Sequence, residues 1–310
     1  IRDLTIRFQN TGHSDAVVKG LSYRLHAGRS LAIVGESGAG KSLSCRALMG
    51  LLPKNAVVSG SVCFAGTQLL DLTEAEMRTY RGAGIAMVFQ DPDNALNPTM
   101  RVGRQISEAI RLHGGLGRRA ARHQAIELLR SLRLPGPEER IHAYPHELSG
   151  GMRQRVMLAV ALAGNPKLLI ADESTRTLDV TTQAQIVRLI EDAQRERRMA
   201  VILITHDLRL AGSFADDILV MYGGSAVEYA PTPELFACPR TPYTRALLEA
   251  IPNVDLKRPR DQRVEAPEPV QRAVGCPAVT RRAGVVPPLG VLDRAAARPT
   301  PVLKDGRMGA

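Results

Sequence analysis

The chain has 310 residues, enough to bury a sizeable core in one large domain or two smaller ones. Its 44% hydrophobic and 23% charged residues suit a soluble globular protein, no apolar run approaches the ~18 residues of a membrane span, and no basic–apolar–small signal opens it. Cys45, Cys63, Cys238 and Cys276 stand far apart with no CxxC pair, which argues against a disulfide framework or zinc site and for a reducing cytosol, while the net charge of +10 calls for an acidic partner.

The first predicted strand is "LTIRF" (4–8). The apolar run "SLAIVG" (30–35) is the next, and a helical pattern covers 41–51. Between them "GESGAGKS", Gly35 to Ser42, fits G-x-x-x-x-G-K-[ST] in the strand-to-helix setting that this motif requires. In such a loop Gly35, Gly38 and Gly40 let consecutive amides, with those of Glu36, Ser37 and Ala39, curl around a β-phosphate. Lys41 would reach the β/γ oxygens, and the Ser42 hydroxyl would take a place on Mg²⁺.

A second buried strand, "IAMVFQ" (85–90), ends at Gln90. Residues 91–165 then read as mostly helical, with patterns at 99–113 and 119–133 and Gly/Pro breaks at 114–117 and 135–137; they predict an inserted helical subdomain. Within it, Met152, Val156, Ala159, Val160 and Ala163 recur at helical spacing and predict an amphipathic helix over 150–164. Ser149 is a good N-cap, yet Gly150 and Gly151 behind it each cost about 1 kcal/mol relative to alanine. Bare amides at the positive end of a helix offer an anion site; the plainer alternative is a loop-to-helix junction.

"KLLIAD" (167–172) is a third such strand, and it runs into Glu173. Asp172 would hold magnesium through water, and Glu173 would polarise an attacking water. A helix over 181–197 leads to "AVILITH" (200–206), which ends at His206, then to "DILVMY" (217–222) and a helix over 242–250. Continuous rather than alternating apolar runs, separated by helices, predict an α/β core around a largely parallel sheet. Such a sheet delivers the C-terminal ends of its strands to one edge, so Gln90, the acid pair and His206 should gather near the glycine-rich loop. From about Pro252 proline, arginine and alanine dominate. Residues 254–310 hold eleven Lys/Arg against six Asp/Glu and no aromatic side chain, which favours a solvated or membrane-proximal basic tail over nucleic-acid binding.

Together these residues resemble the ATP-binding-cassette (ABC) family of P-loop NTPases. Its features occur in order: Walker A at 35–42, Q-loop at Gln90, signature "LSGGMRQR" at 148–155, Walker B at 168–173, D-loop around Asp179 and switch His206. The resemblance implies a cassette over 1–252 with a parallel core sheet, an antiparallel β portion and the helical subdomain at about 91–165, followed by a tail over 253–310. It implies ATP and Mg²⁺, with Ser42, Gln90 and Asp172 around the metal and Glu173, His206 and Gln90 around the reaction. Two cassettes would face head to tail, so that Ser149, Gly150, Gly151 and Asp179 of one cover ATP on the P-loop of the other. Phe8 is the candidate for stacking on adenine; otherwise it is a core residue of the first strand.

Further stretches resemble the ATPases of dipeptide, oligopeptide and nickel importers: "MVFQDPDNALNP", "YPHELSGGMRQRVMLAVAL", "LDVTTQAQI" and "ACPRTPYTRALLEAIP". That branch implies a subunit on the cytoplasmic face of the membrane, bound to two transmembrane permease subunits and fed by a periplasmic or lipoprotein solute-binding protein. The partner cassette would be identical or different. Two departures stand out. Where the family usually reads Pro-Thr-Thr-Ala-Leu-Asp, this chain reads Ser174-Thr175-Arg176-Thr177-Leu178-Asp179, and of the tail's cysteine cluster only Cys276 remains, so no iron–sulfur centre is expected. The altered loop motivates an alternative, a cassette that binds ATP without hydrolysing it and regulates its partner; retention of Lys41, Asp172, Glu173 and His206 argues against it. A soluble ABC ATPase acting on DNA would carry heptad arms or added binding domains, and the sequence has neither.

Overall fold

The computed structural model describes residues 1–9, 16–172 and 180–251. In chain order, β1 (Arg2–Phe8), β2 (Val18–Leu21) and β3 (Ser30–Gly35) precede α1 (Lys41–Leu48). Then come β4 (Ala56–Ser61), β5 (Cys63–Phe64), β6 (Thr67–Gln68), α2 (Glu74–Tyr80) and β7 (Ile85–Val88). Five helices follow: α3 (Pro92–Ala95), α4 (Val102–Gly114), α5 (Arg118–Ser131), α6 (Pro137–Arg140) and α7 (Gly150–Leu162). The remainder is β8 (Leu168–Asp172), α8 (Val180–Arg197), β9 (Ala200–Thr205), α9 (Leu208–Phe214), β10 (Asp217–Tyr222), β11 (Ser225–Pro231), α10 (Thr232–Ala237) and α11 (Pro242–Glu249).

The main sheet has the order β11-β10-β3-β9-β8-β7, parallel throughout except for the antiparallel edge strand β11. Every residue of β3, β7, β8 and β9 is buried, which explains why these strands read as unbroken apolar runs. Alternate side chains serve two cores. Leu31, Ile33, Ile170 and Ile202 join the three-stranded antiparallel sheet β2-β1-β4 and α1 on one face. Ala32, Val34, Ala171 and Leu203 join α4, α5, α7, α8 and α9 on the other.

The observed elements sharpen the predictions in three places. The helix expected over 41–51 stops at Leu48, because Gly50 takes a left-handed φ of 61° and the chain turns there. Gln90 and His206 lie just past their strands rather than in them, since β7 ends at Val88 and β9 at Thr205. The helix expected to be amphipathic, α7, is not: Gln154, Val156, Met157, Leu158, Ala159, Ala161 and Leu162 are all buried. It is packed on several sides, touching α3, α4, α5 and β7, so the five spaced apolar residues marked only part of its buried surface.

Candidate functional site

The glycine-rich segment forms a loop between β3 and α1. Gly35 closes β3 at φ 147°, opposite Met221 of β10; a Cβ there would stand 2.1 Å from the Met221 carbonyl oxygen, so only glycine fits. Gly40, the residue before α1, has φ 90°, and a Cβ on it would lie 2.9 Å from Val18 Cγ2 and 3.1 Å from the Val17 oxygen. Glu36, Ser37 and Gly38 are exposed, whereas Ala39 and Lys41 are buried. The Lys41 ammonium, only 5% exposed, donates to the carbonyl oxygens of Gly35 (2.9 Å) and Glu36 (2.7 Å). A buried cation held by the carbonyls of a bent loop is a suitable base for an anion.

At the start of α1, Ser42 donates to Asp172 at 2.5 Å. Asp172 ends β8 and is 3% exposed. A hydroxyl and a carboxylate oxygen so close are the hard oxygen donors that a magnesium ion takes, and together with the loop they fit an Mg²⁺–nucleotide. Cys45, one turn along α1, is buried; desolvation pushes its thiol well above the usual range and the Asp172 charge adds to this, so it stays an inert thiol.

Gln90 follows β7 and His206 follows β9; both are exposed. Strands β3, β9, β8 and β7 are consecutive neighbours, so the loop, His206, Asp172 and Gln90 leave one edge of the sheet from four adjacent strands. Phe8 ends β1 opposite Ala56 and is partly buried. Glu173 and Asp179, with Ser174 and Arg176, lie outside the described residues. A cleft of about 580 Å³ lined by Gly28, Ser30, Arg198 and Asp216 opens at the opposite, N-terminal edge of the sheet and shares no residue with this set. The bent loop, the buried lysine and the buried acid thus lie together at the C-terminal edge.

The serine–glycine turn stands apart. Ser149 caps α7 by accepting from the Met152 amide at 3.4 Å, which leaves the Gly150 and Gly151 amides at the helix's first positions without an intrahelical acceptor. No hydrogen bond or ion pair joins Ser149–Gly151 to the glycine-rich loop among the described residues. Arg153, one turn on, pairs with Asp93 of α3 at 2.7 Å and donates to the Leu148 carbonyl at 2.8 Å, tying α7 to the segment that follows Gln90.

One contact had no signal in the sequence. The Tyr243 hydroxyl, from α11, accepts from the Glu36 amide at 3.3 Å, across 207 residues.

Residues 18–176 match a family described as "ABC transporter", and residues 227–287 match "Oligopeptide/dipeptide transporter, C-terminal region". The oligopeptide transport ATP-binding protein OppD of Bacillus subtilis is 47% identical over 257 residues, covering 82% of this chain and 72% of that protein. OppD of Salmonella typhimurium is 46% identical over 255 residues (82% and 76%). A putative peptide import ATP-binding protein of Brucella abortus is 46% identical over 279 (89% and 84%). Among solved structures, a dimeric ATP-binding cassette in a post-hydrolysis state bound to ADP and Pi superposes with a TM-score of 0.67 at 26% identity, covering 74% of this chain and 97% of that one. With the loop, the sheet order and the relatives in agreement, this chain belongs to the ABC transporter family, in the branch with the oligopeptide/dipeptide C-terminal region.

Proposed function

We propose that the chain is the ATP-hydrolysing subunit of a peptide importer, peripheral to the cytoplasmic face of the membrane. The observation that carries this reading is the hydrogen bond from the half-buried Ser42 to the buried Asp172, beside Lys41 at the end of a loop that requires glycine at positions 35 and 40. The relatives' names favour di- or oligopeptides over nickel as the solute. No helix among the described residues is long and apolar enough to cross a membrane; in this reading a permease supplies the path.

In this reading the amides from Gly35 to Gly40 cradle the β-phosphate of ATP, and Lys41 moves its ammonium onto the β/γ oxygens, where charged acceptors outbid neutral carbonyls. Ser42, Asp172 and Gln90 hold Mg²⁺. When bound, the ion neutralises charge that develops on the phosphate oxygens. Glu173 takes the proton of the water that attacks the γ-phosphorus, ADP departs with the β-oxygen, and His206 and Gln90 face the reacting phosphate. Ser149, Gly150 and Gly151 cover the nucleotide of a second cassette. That role accounts for amides left bare at a helix start and for the lack, among the described residues, of a hydrogen bond or ion pair to their own chain's loop. Asp179 borders the same interface, and Phe8 stacks on adenine.

The test is assembly and coupling. Purified with its two permease subunits in liposomes, the protein should hydrolyse ATP faster when a peptide-loaded binding protein is added, and nickel should not replace the peptide. A cysteine at Asn94, exposed on α3 just past Gln90, should crosslink to cytoplasmic loops of the permease. Peptide-independent hydrolysis, with crosslinks obtained only from the tail, would count against the assignment.

The sequence after Glu173 favours a second reading, a cassette slowed for regulation. A guanidinium at Arg176 paired with Glu173 would lower the basicity of the carboxylate, because a nearby positive charge favours its ionised form. The double change Ser174→Pro with Arg176→Thr should then raise kcat several-fold at nearly constant KM. Equal kcat in both proteins makes the loop neutral.

A further inference from the structure

The stretch "TPYTRALLEA" resembles the importer branch, yet the chemistry above gives it no task. It forms α11, and its N-terminus is anchored firmly. Thr241 caps the helix by accepting from the Thr244 amide at 3.1 Å, and Pro242 takes the first helical position. Glu228 of β11, 7% exposed, accepts from the amides of Arg240 (2.9 Å) and Thr241 (3.2 Å) and from the Thr241 hydroxyl (3.2 Å). Burial by itself would raise this carboxyl, but the bonds from Thr244, Arg240 and Thr241 outweigh it and hold the group below its usual range. A charged, fully bonded carboxylate thus fixes where α11 begins.

The anchor aims one side chain at the nucleotide site. Tyr243 is 6% exposed, and its ring packs on Tyr222 at the end of β10, with centroids 4.6 Å apart. Its hydroxyl accepts the Glu36 amide at 3.3 Å. The carbonyl of that same peptide unit, on Gly35, accepts from Lys41 Nζ at 2.9 Å. The Gly35–Glu36 peptide is therefore held at both ends, by Tyr243 on the nitrogen side and by the Lys41 ammonium on the oxygen side. Burial raises the Tyr243 hydroxyl above its usual pKa, and the charge of Glu36 adds to this, so it stays a neutral phenol at physiological pH.

We propose that Tyr243 is a positioning residue for ATP: anchored by Glu228 and Thr241, it fixes the Gly35–Glu36 peptide and with it the curl of the loop and the reach of Lys41. The C-terminal region would then enter the cassette's chemistry through the loop backbone. The proposal rests on the P-loop reading above.

The test is Tyr243→Phe in the full chain, which removes one oxygen and keeps the ring against Tyr222. Loss of one buried hydrogen bond to the loop should weaken ATP binding roughly three- to tenfold and raise KM by a similar factor. Maximal kcat should move far less, and the nucleotide-free melting temperature should stay within about two degrees of the parent. A purely structural tyrosine would give the opposite split, a lower melting temperature with unchanged affinity, and that result overturns the proposal. Lys41→Ala, titrated in parallel, separates the two levels. If it weakens ATP binding and Tyr243→Phe does not, the positioning role falls and the P-loop stands; if neither weakens it, both fall.

Discussion

The Glu173→Gln variant should lose turnover by ~10²–10⁴-fold, the usual contribution of a positioned general base, while binding ATP as tightly as the parent. The expectation comes from position. Glu173 is next in sequence to Asp172, which ends β8 and accepts from Ser42 at 2.5 Å. Glutamine keeps the size and polarity of the side chain but cannot take a proton from water. Ground-state contacts to the phosphates would remain, so kcat should fall without a matching change in Kd. ATP would then stay uncleaved between two cassettes, and ATP-dependent dimers should appear by gel filtration or light scattering. Hydrolysis at the parental rate would remove Glu173 from the mechanism.

Lys41→Ala should act on the other half of the cycle, binding itself. A charge-assisted bond in a buried site contributes about 1.5–3 kcal/mol, which corresponds to roughly ten- to a hundredfold in ATP affinity. The variant also leaves the Gly35 and Glu36 carbonyls without their donor, so a modest loss of stability is expected even without nucleotide. Thermal shift distinguishes the two effects. The parent should gain melting temperature with added ATP and the variant should gain much less, because a ligand stabilises in proportion to its affinity for the folded form. Unchanged affinity in a direct titration would dismiss the P-loop claim.

Much of this architecture could be read from the chain because both of its signals are local. Strands buried on both faces, such as the six residues of β3, leave an apolar run in the sequence. The octapeptide Gly35–Ser42 carries its own geometry in its glycines. The antiparallel portion was harder to read. β1 buries only Leu4 and Ile6, β4 mixes half-buried with exposed residues and buries none, and β5 and β6 are two residues each, too short for any period to emerge. The amphipathic expectation for α7 failed for a related reason: spacing identifies one apolar stripe, but the buried Gln154 and the small alanines on the other sides give no hydrophobic contrast. The contact of Tyr243 with the loop left no trace. Its partner is a backbone amide, which any residue supplies, and it lies 207 positions away.

The sheet order has a consequence for how the molecule is made. β3 lies between β10 and β9, both encoded far downstream; Ser30 already bonds Asp216, 186 residues ahead of it. A chain leaving the ribosome therefore exposes its glycine-rich loop long before the neighbours that shape it have been synthesised. Met221, the β10 residue that pairs with Gly35, is made last of these. A nascent or truncated chain ending before β10 would therefore carry the motif without the strand that pairs beside Gly35. Such long-range closure is slow and leaves apolar strands uncovered meanwhile. Cellular ATP, by binding only the closed loop, would draw the last step of assembly forward, so that the fuel also acts as a check on the finished machine.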